Sequence, residues 1–389
     1  MVQQLHQVCE INSGSDNQAG LQIMHQNLSS TFEPIADTIE TIQFPPVSII
    51  DMAGNVDEFT CGNALFIRKR PQLKRRILLA GHMDTVFSEH HAFQKLTYIS
   101  NNHLNGPGVA DMKGGLIVIL HALKVFEQTQ EASSLGWDVL INADEELGSP
   151  ASGSLFSEIA ENYQAGLLYE PAMDTQGTLA KNRKGSGKIT LVATGKAAHA
   201  GRAFYEGRNA ICYLAEAITA VHALNGKHEG VTINVGKIAG GTALNIVPDR
   251  AVAKLDIRIN DTNDEAWVMA ELNKIIQSLK RPDYNLSIQG KFTRPVKQVN
   301  PGTKLLYERI KAIGQELNLV INWQDSGGCC DGNNLAAQGL PVIDTLGVRG
   351  GNIHSQMEFV LIDSLVERAQ LSTLLLRDLA QGGLEELKQ

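Results

Sequence analysis

An α/β fold interrupted by a smaller α+β insert is predicted by three features of the chain. Short apolar runs ending in acidic, histidine or glycine-rich segments alternate with stretches of helical period. From about Lys184 the texture changes to β-branched and alternating strands with helices between and after them, and around Lys291 it changes back. The length of 389 residues, 43% hydrophobic and 20% charged, suffices for a large core spread over two or three domains. The expected boundaries are residues 1–183, 184–290 and 291–389, the first and third forming one domain.

In chain order, residues 77–80 read as a buried strand that ends at Gly81-His82-Met83-Asp84. Residues 116–126, preceded by Asp111-Met112-Lys113-Gly114-Gly115, read as a core-facing helix. Residues 137–142 form a second strand running into Asp144-Glu145-Glu146, and residues 165–169 a third that stops at Glu170-Pro171. In the insert, residues 188–194 and 231–238 read as strands and 251–259 as a half-buried one. A helix is expected near residues 304–317 and a strand near 341–345. Open α/β sheets bind ligands outside the carboxyl ends of their strands, so the clusters at these strand ends should converge.

Several function classes are excluded. With 34 basic and 42 acidic side chains the net charge is −8, which argues against nucleic acid as a partner. The longest apolar runs, such as residues 116–120, fall far short of the roughly 20 residues a bilayer span needs. The first residues show no basic patch followed by an apolar stretch, so no secretory leader is read and a cytoplasmic location is expected. Five cysteines without CxxC spacing indicate neither a disulfide framework nor a thiolate zinc site.

The remaining polar clusters suit metal-assisted hydrolysis. In His82-x-Asp84 the acid can orient the imidazole, the usual partner of a ligating histidine. Asp111 lies among glycines that permit close backbone approach, though the same pattern fits an ordinary helix-capping aspartate. Adjacent Glu145 and Glu146 can divide the labour of proton transfer and metal binding, or form an exposed acidic turn. Glu170, His199 and His354 complete a set of oxygen and nitrogen donors without sulfur, the mixture of a hydrolytic zinc site. Residues 184–189 look like a phosphate loop but lack the required first glycine and the final Ser/Thr.

These segments resemble, in order and spacing, the zinc-dependent family of aminoacylases, succinyl-diaminopimelate desuccinylases and glutamate carboxypeptidases. The resemblance rests on Gly81-His82-Met83-Asp84-Thr85-Val86, Gly106-Pro107-Gly108-Val109-Ala110-Asp111-Met112-Lys113-Gly114-Gly115, Asp144-Glu145-Glu146-Leu147-Gly148-Ser149, Tyr169-Glu170-Pro171, residues 195–201, Asn245-Ile246-Val247-Pro248-Asp249 and His354-Ser355. It implies a mixed-sheet catalytic domain interrupted by a ferredoxin-like lid that pairs two subunits. It implies two Zn2+ per subunit, with Co2+ or Mn2+ as substitutes: Asp111 bridging, His82 and Glu170 on one ion, Glu146 and His354 on the other. Glu145 would be the general base and Asp84 the residue orienting His82. The Asp111-Met112 peptide bond would be cis. His199, with Asn245 nearby, would stabilise the oxyanion in the partner's active site.

The wording is nearest the glutamate carboxypeptidase branch, which implies amide hydrolysis releasing a C-terminal acidic amino acid. Arg258 is the first candidate to grip the substrate's free carboxylate, ahead of Arg202, Arg208 and Arg294. N-acyl-amino-acid deacylase or dipeptidase activity is the alternative within the family, and a catalytically idle zinc-binding dimer the alternative outside it. Cys329-Cys330 replaces the family's small residues before Asp331 and is read as packing.

Overall fold

In a computed structural model of the chain, which describes residues 1–387, every residue of the strand Arg76–His82 is buried. The reason is its place in a six-stranded sheet covered on both faces. The order is Thr38–Ile42, Ala64–Lys69, Gly136–Asn142, Arg76–His82, Ala165–Leu168, Val342–Ile343. The last four are mutually parallel, and the Ala64–Lys69 strand runs antiparallel to its two neighbours. Ile77 and Leu79 face one core with Ile67, Val139, Ile141 and Leu167, while Leu78 and Ala80 face another with Phe66, Leu140, Phe156 and Leu335. A strand buried on both sides reads as a continuous apolar run, which is the pattern seen at residues 77–80.

The helix Lys113–Phe126 buries most of its surface, including Leu116, Ile117, Val118, Ile119, Leu120, Leu123 and Phe126. The helix Pro301–Glu316 starts before the expected residue 304, because Asn300 caps it by accepting from the Thr303 N–H at 2.7 Å and Pro301 opens its first turn. A four-stranded sheet of Gly350–Gly351, Phe359–Leu361, His103–Asn105 and Thr97–Ser100 was not anticipated. Its strands are too short to show a period.

The chain folds as two units: residues 1–45, 60–183 and 297–387 in one, Pro46–Phe59 and Lys184–Val296 in the other. In the second, the antiparallel sheet runs Thr232–Gly240, Arg250–Ile259, Gly185–Thr194, Asn285–Arg294. Helices Ala210–His222 and Asn263–Leu279 pack on it through Leu214, Ala217, Val268 and Leu272. This β-α-β-β-α-β order is ferredoxin-like. The unit departs from the expected residues 184–290 in two respects. Gly290 lies inside the last strand, at φ +104°, where an added Cβ would meet the Lys188 carbonyl oxygen at 2.1 Å; it marks close approach within the strand. The hairpin Val47–Ile50 and Val56–Phe59 also joins this unit, with Ile50 packed on Val192 and Val252.

Candidate metal centre

The carboxyl ends of the parallel strands and the small second sheet bring five of the predicted residues together. His82 ends its strand, Glu146 lies in the turn Glu145–Leu147 after Gly136–Asn142, and Glu170 follows Ala165–Leu168. The second sheet pairs Phe359 with Asn105, which sets the His354 hairpin beside the loop leading to Asp111. The Asp111-Met112 bond is cis, as the resemblance implied. Met112, not Asp111, is the N-cap of the following helix, so the capping alternative is overturned.

Asp111 faces one imidazole with each carboxylate oxygen. Its Oδ1 lies 3.2 Å from His82 Nε2 and its Oδ2 3.2 Å from His354 Nε2. His82 Nε2 is also 3.8 Å from Glu170 Oε2, and His354 Nε2 is 3.1 Å from Glu146 Oε2. Ligand atoms of His82, Asp111 and Glu146 all fall within 4.8 Å of one another. The result is two half-sites that share Asp111.

Asp84, fully buried, supports both halves. Its backbone oxygen lies 3.0 Å and its Oδ1 3.3 Å from His82 Nδ1, so the imidazole's other nitrogen is left to Asp111. The same carboxylate accepts the N–H groups of Glu145 and Glu146 at 3.3 and 3.2 Å and the Ser15 hydroxyl at 2.8 Å. Glu145 is half-buried beside Glu146.

The electrostatics call for cations. Burial, then the neighbouring Asp111, pushes the Glu146 carboxyl up to about 7. Burial also raises Glu170, against the pull of His82. Hydrogen bonds to Asp111 and Glu146 hold His354 up to about 11. For His82, burial is outweighed by hydrogen bonds to Asp111, Asp84 and Glu170, and it too is raised. Glu146 Oε1 is buried with no hydrogen-bond partner. Three carboxylates and two imidazoles, with one carboxylate spanning both imidazoles, are a donor set that fits two divalent cations with open positions.

The other predicted residues lie in the second unit. Residues Ala198–His199 pair with Ile246–Val247, and the Ala200 N–H donates to the Asn245 carbonyl at 2.9 Å, so His199 and Asn245 are neighbours. His199 Nδ1 accepts the N–H groups of Gly201 and Arg202 at 3.1 and 3.2 Å, which fixes the proton on Nε2. Arg258 is engaged by Asp256 through two hydrogen bonds, at 2.7 and 3.1 Å, so a substrate carboxylate would have to compete for its guanidinium. Cys330 packs among Leu78, Leu140 and Val342, and burial raises its thiol well above the usual range. Ser15 was missed by sequence reasoning, since nothing local in the chain points it at Asp84.

The peptidase dimerisation domain family matches residues 182–283. Carboxypeptidase G2 of Pseudomonas sp. is 30% identical, over 79% of this chain and 75% of its own length. A putative succinyl-diaminopimelate desuccinylase of Mycobacterium tuberculosis is 26% identical, over 80% and 83%. The structure of a tripeptidase from Staphylococcus aureus matches with TM-score 0.75 at 23% identity, over 98% of both chains. An M20 family metallo-carboxypeptidase from Sulfolobus solfataricus also gives 0.75, at 18% identity over 98% and 99%. Fold and relatives thus define a metal-binding hydrolase with a separate dimerisation domain. The chain belongs to the M20 metallopeptidase family.

Proposed function

We propose that this chain hydrolyses an amide bond and releases a C-terminal, glutamate-like amino acid, using a two-zinc centre. The observation that carries the reading is Asp111, with one oxygen toward His82 and Glu170 and the other toward His354 and Glu146. Zinc bound by these residues, with Co2+ or Mn2+ as substitutes, supplies Lewis acidity and lowers the pKa of water to about 7. Glu145 takes the proton of the attacking water and returns it to the leaving amine. Asp84 keeps the His82 ring oriented and holds the backbone of Glu145 and Glu146. His199, with its proton on Nε2 and Asn245 beside it, is assigned as the donor that stabilises the oxyanion in a partner subunit's site.

The dimerisation domain supports a homodimer, as do exposed apolar side chains in the second unit, among them Tyr205, Ile238 and Leu244. The five free cysteines suit a reducing, cytoplasmic setting. Among the described residues no helix is long and apolar enough to cross a membrane.

Two observations favour a second reading, N-acyl-amino-acid deacylase or dipeptidase: the desuccinylase relative and the engagement of Arg258 by Asp256. Assay of the zinc-reconstituted protein on N-acyl-glutamate, folate-type, dipeptide and succinyl-diaminopimelate substrates tests both. Fastest release of glutamate is expected. Preference for another substrate selects the second reading, and metal uptake with no turnover of any would mean a catalytically idle dimer.

A further inference from the structure

Glu358 is buried, with 1% of its surface exposed, yet no ion pair involves it among the described residues. Its carboxylate instead accepts three backbone N–H groups of the loop that ends in Asp111: Gly108 at 3.2 Å on Oε2, and Ala110 and Asp111 at 3.0 and 3.1 Å on Oε1. Its own carbonyl accepts the Gly106 N–H at 3.2 Å and the Asn105 side-chain amide at 2.6 Å. Glu358 stands four residues after His354, on the segment that pairs with the strand before Asp111. A single side chain therefore ties the loop carrying one half of the site to the hairpin carrying the other.

We propose that Glu358 is a positioning residue that latches the Asp111 loop to the His354 hairpin and so sets the geometry of the shared carboxylate. The inference rests on the metal-centre reading above. A carboxylate is suited to the task because it is acceptor-only, and all three groups facing it are donors. In Glu358→Gln an amide N–H would oppose one of those donors at almost unchanged shape. Outer groups that orient ligands characteristically contribute about 10–100-fold in metal affinity.

The test is Co2+ binding, followed by chelator competition and by the visible spectrum of the bound ion, on the full chain and its variants. Glu358→Gln is expected to keep its far-ultraviolet dichroism, to bind Co2+ at least about tenfold more weakly, and to show an altered spectrum, with partial recovery in Glu358→Asp. Leu28→Ala, a core truncation in the helix Gln18–Phe32, controls for general loss of stability and should leave the spectrum unchanged. A folded Glu358→Gln with wild-type affinity and spectrum overturns the latch. If that variant does not fold, Glu358→Asp takes its place, and wild-type Co2+ affinity and spectrum in it, with the shorter carboxylate drawn back from the loop, likewise overturn the proposal. A wild-type chain that takes up no Co2+ overturns the metal reading itself, a result distinct from either.

Discussion

Glu145 and Glu146 adjoin in the chain but carry different burdens. Glu146 lies 3.1 Å from His354 with its side chain buried and is read as a ligand, whereas Glu145 is assigned as the base. Glu145→Gln is therefore expected to lower kcat by about 10²–10⁴-fold with metal content unchanged, checked by steady-state kinetics alongside metal analysis. Loss of zinc in that variant would make Glu145 a ligand. His199 supplies the complementary contrast. His199→Ala should reduce turnover by about 100-fold or more while zinc stays bound, and parallel loss of zinc would reduce it to a structural histidine.

At the scale of the elements, the strand Val342–Ile343 leads into Asp344, a fully buried carboxylate between Arg183 Nη2 at 2.8 Å and Lys297 Nζ at 2.6 Å. Burial pushes the Asp344 carboxyl up, but the two cations outweigh it and the net direction is down. Asp344→Asn leaves both cations buried without their counter-charge, and denaturant unfolding should show a loss of about 3–5 kcal/mol. The helix Lys113–Phe126 offers a pH test away from the metal ligands. Burial, then the N-terminus and Lys124, lower His121 from 6.5 to about 4, and its Nε2 meets Gln4 Oε1 at 2.5 Å. The unfolded chain takes up this proton near 6.5 and the folded chain only near 4, so stability is full above the window and falls as pH drops through it. His121→Gln should flatten that part of the stability profile, as read by thermal melts between pH 7 and 4; an unchanged slope would place the titration elsewhere.

For the whole molecule, a buried acidic site couples stability to metal. On the two-zinc reading proposed above, free zinc at about 100 times its Kd should stabilise the folded chain by about 2.7 kcal/mol, so chelator should lower Tm and added zinc restore it. A Tm indifferent to both would argue against tight ligation. Assembly is a separate property. Ile238 is 57% exposed on Thr232–Gly240, the edge strand of its sheet, and Ile238→Asp should convert a dimer to monomer in sedimentation without loss of zinc. A variant that remains dimeric would move the interface elsewhere.

Sequence alone determined the α/β fold with its inserted domain and the buried strand at residues 77–80, because burial on both faces writes continuous apolar runs. It located Asp111 but left it between a cap and a ligand, since the local pattern is the same for both. Tertiary structure overturned the cap, which falls to Met112, and set His82 and His354 at opposite oxygens of the Asp111 carboxylate. It also decided the edge of the second unit, where Gly290 looks like a break in the chain but is a close contact with Lys188. The engagement of Arg258 by Asp256, the support of Asp84 by Ser15 and the clasp of Glu358 are likewise tertiary facts. A sequence records which groups are available; which partner each one meets is set by distances that only the folded chain closes.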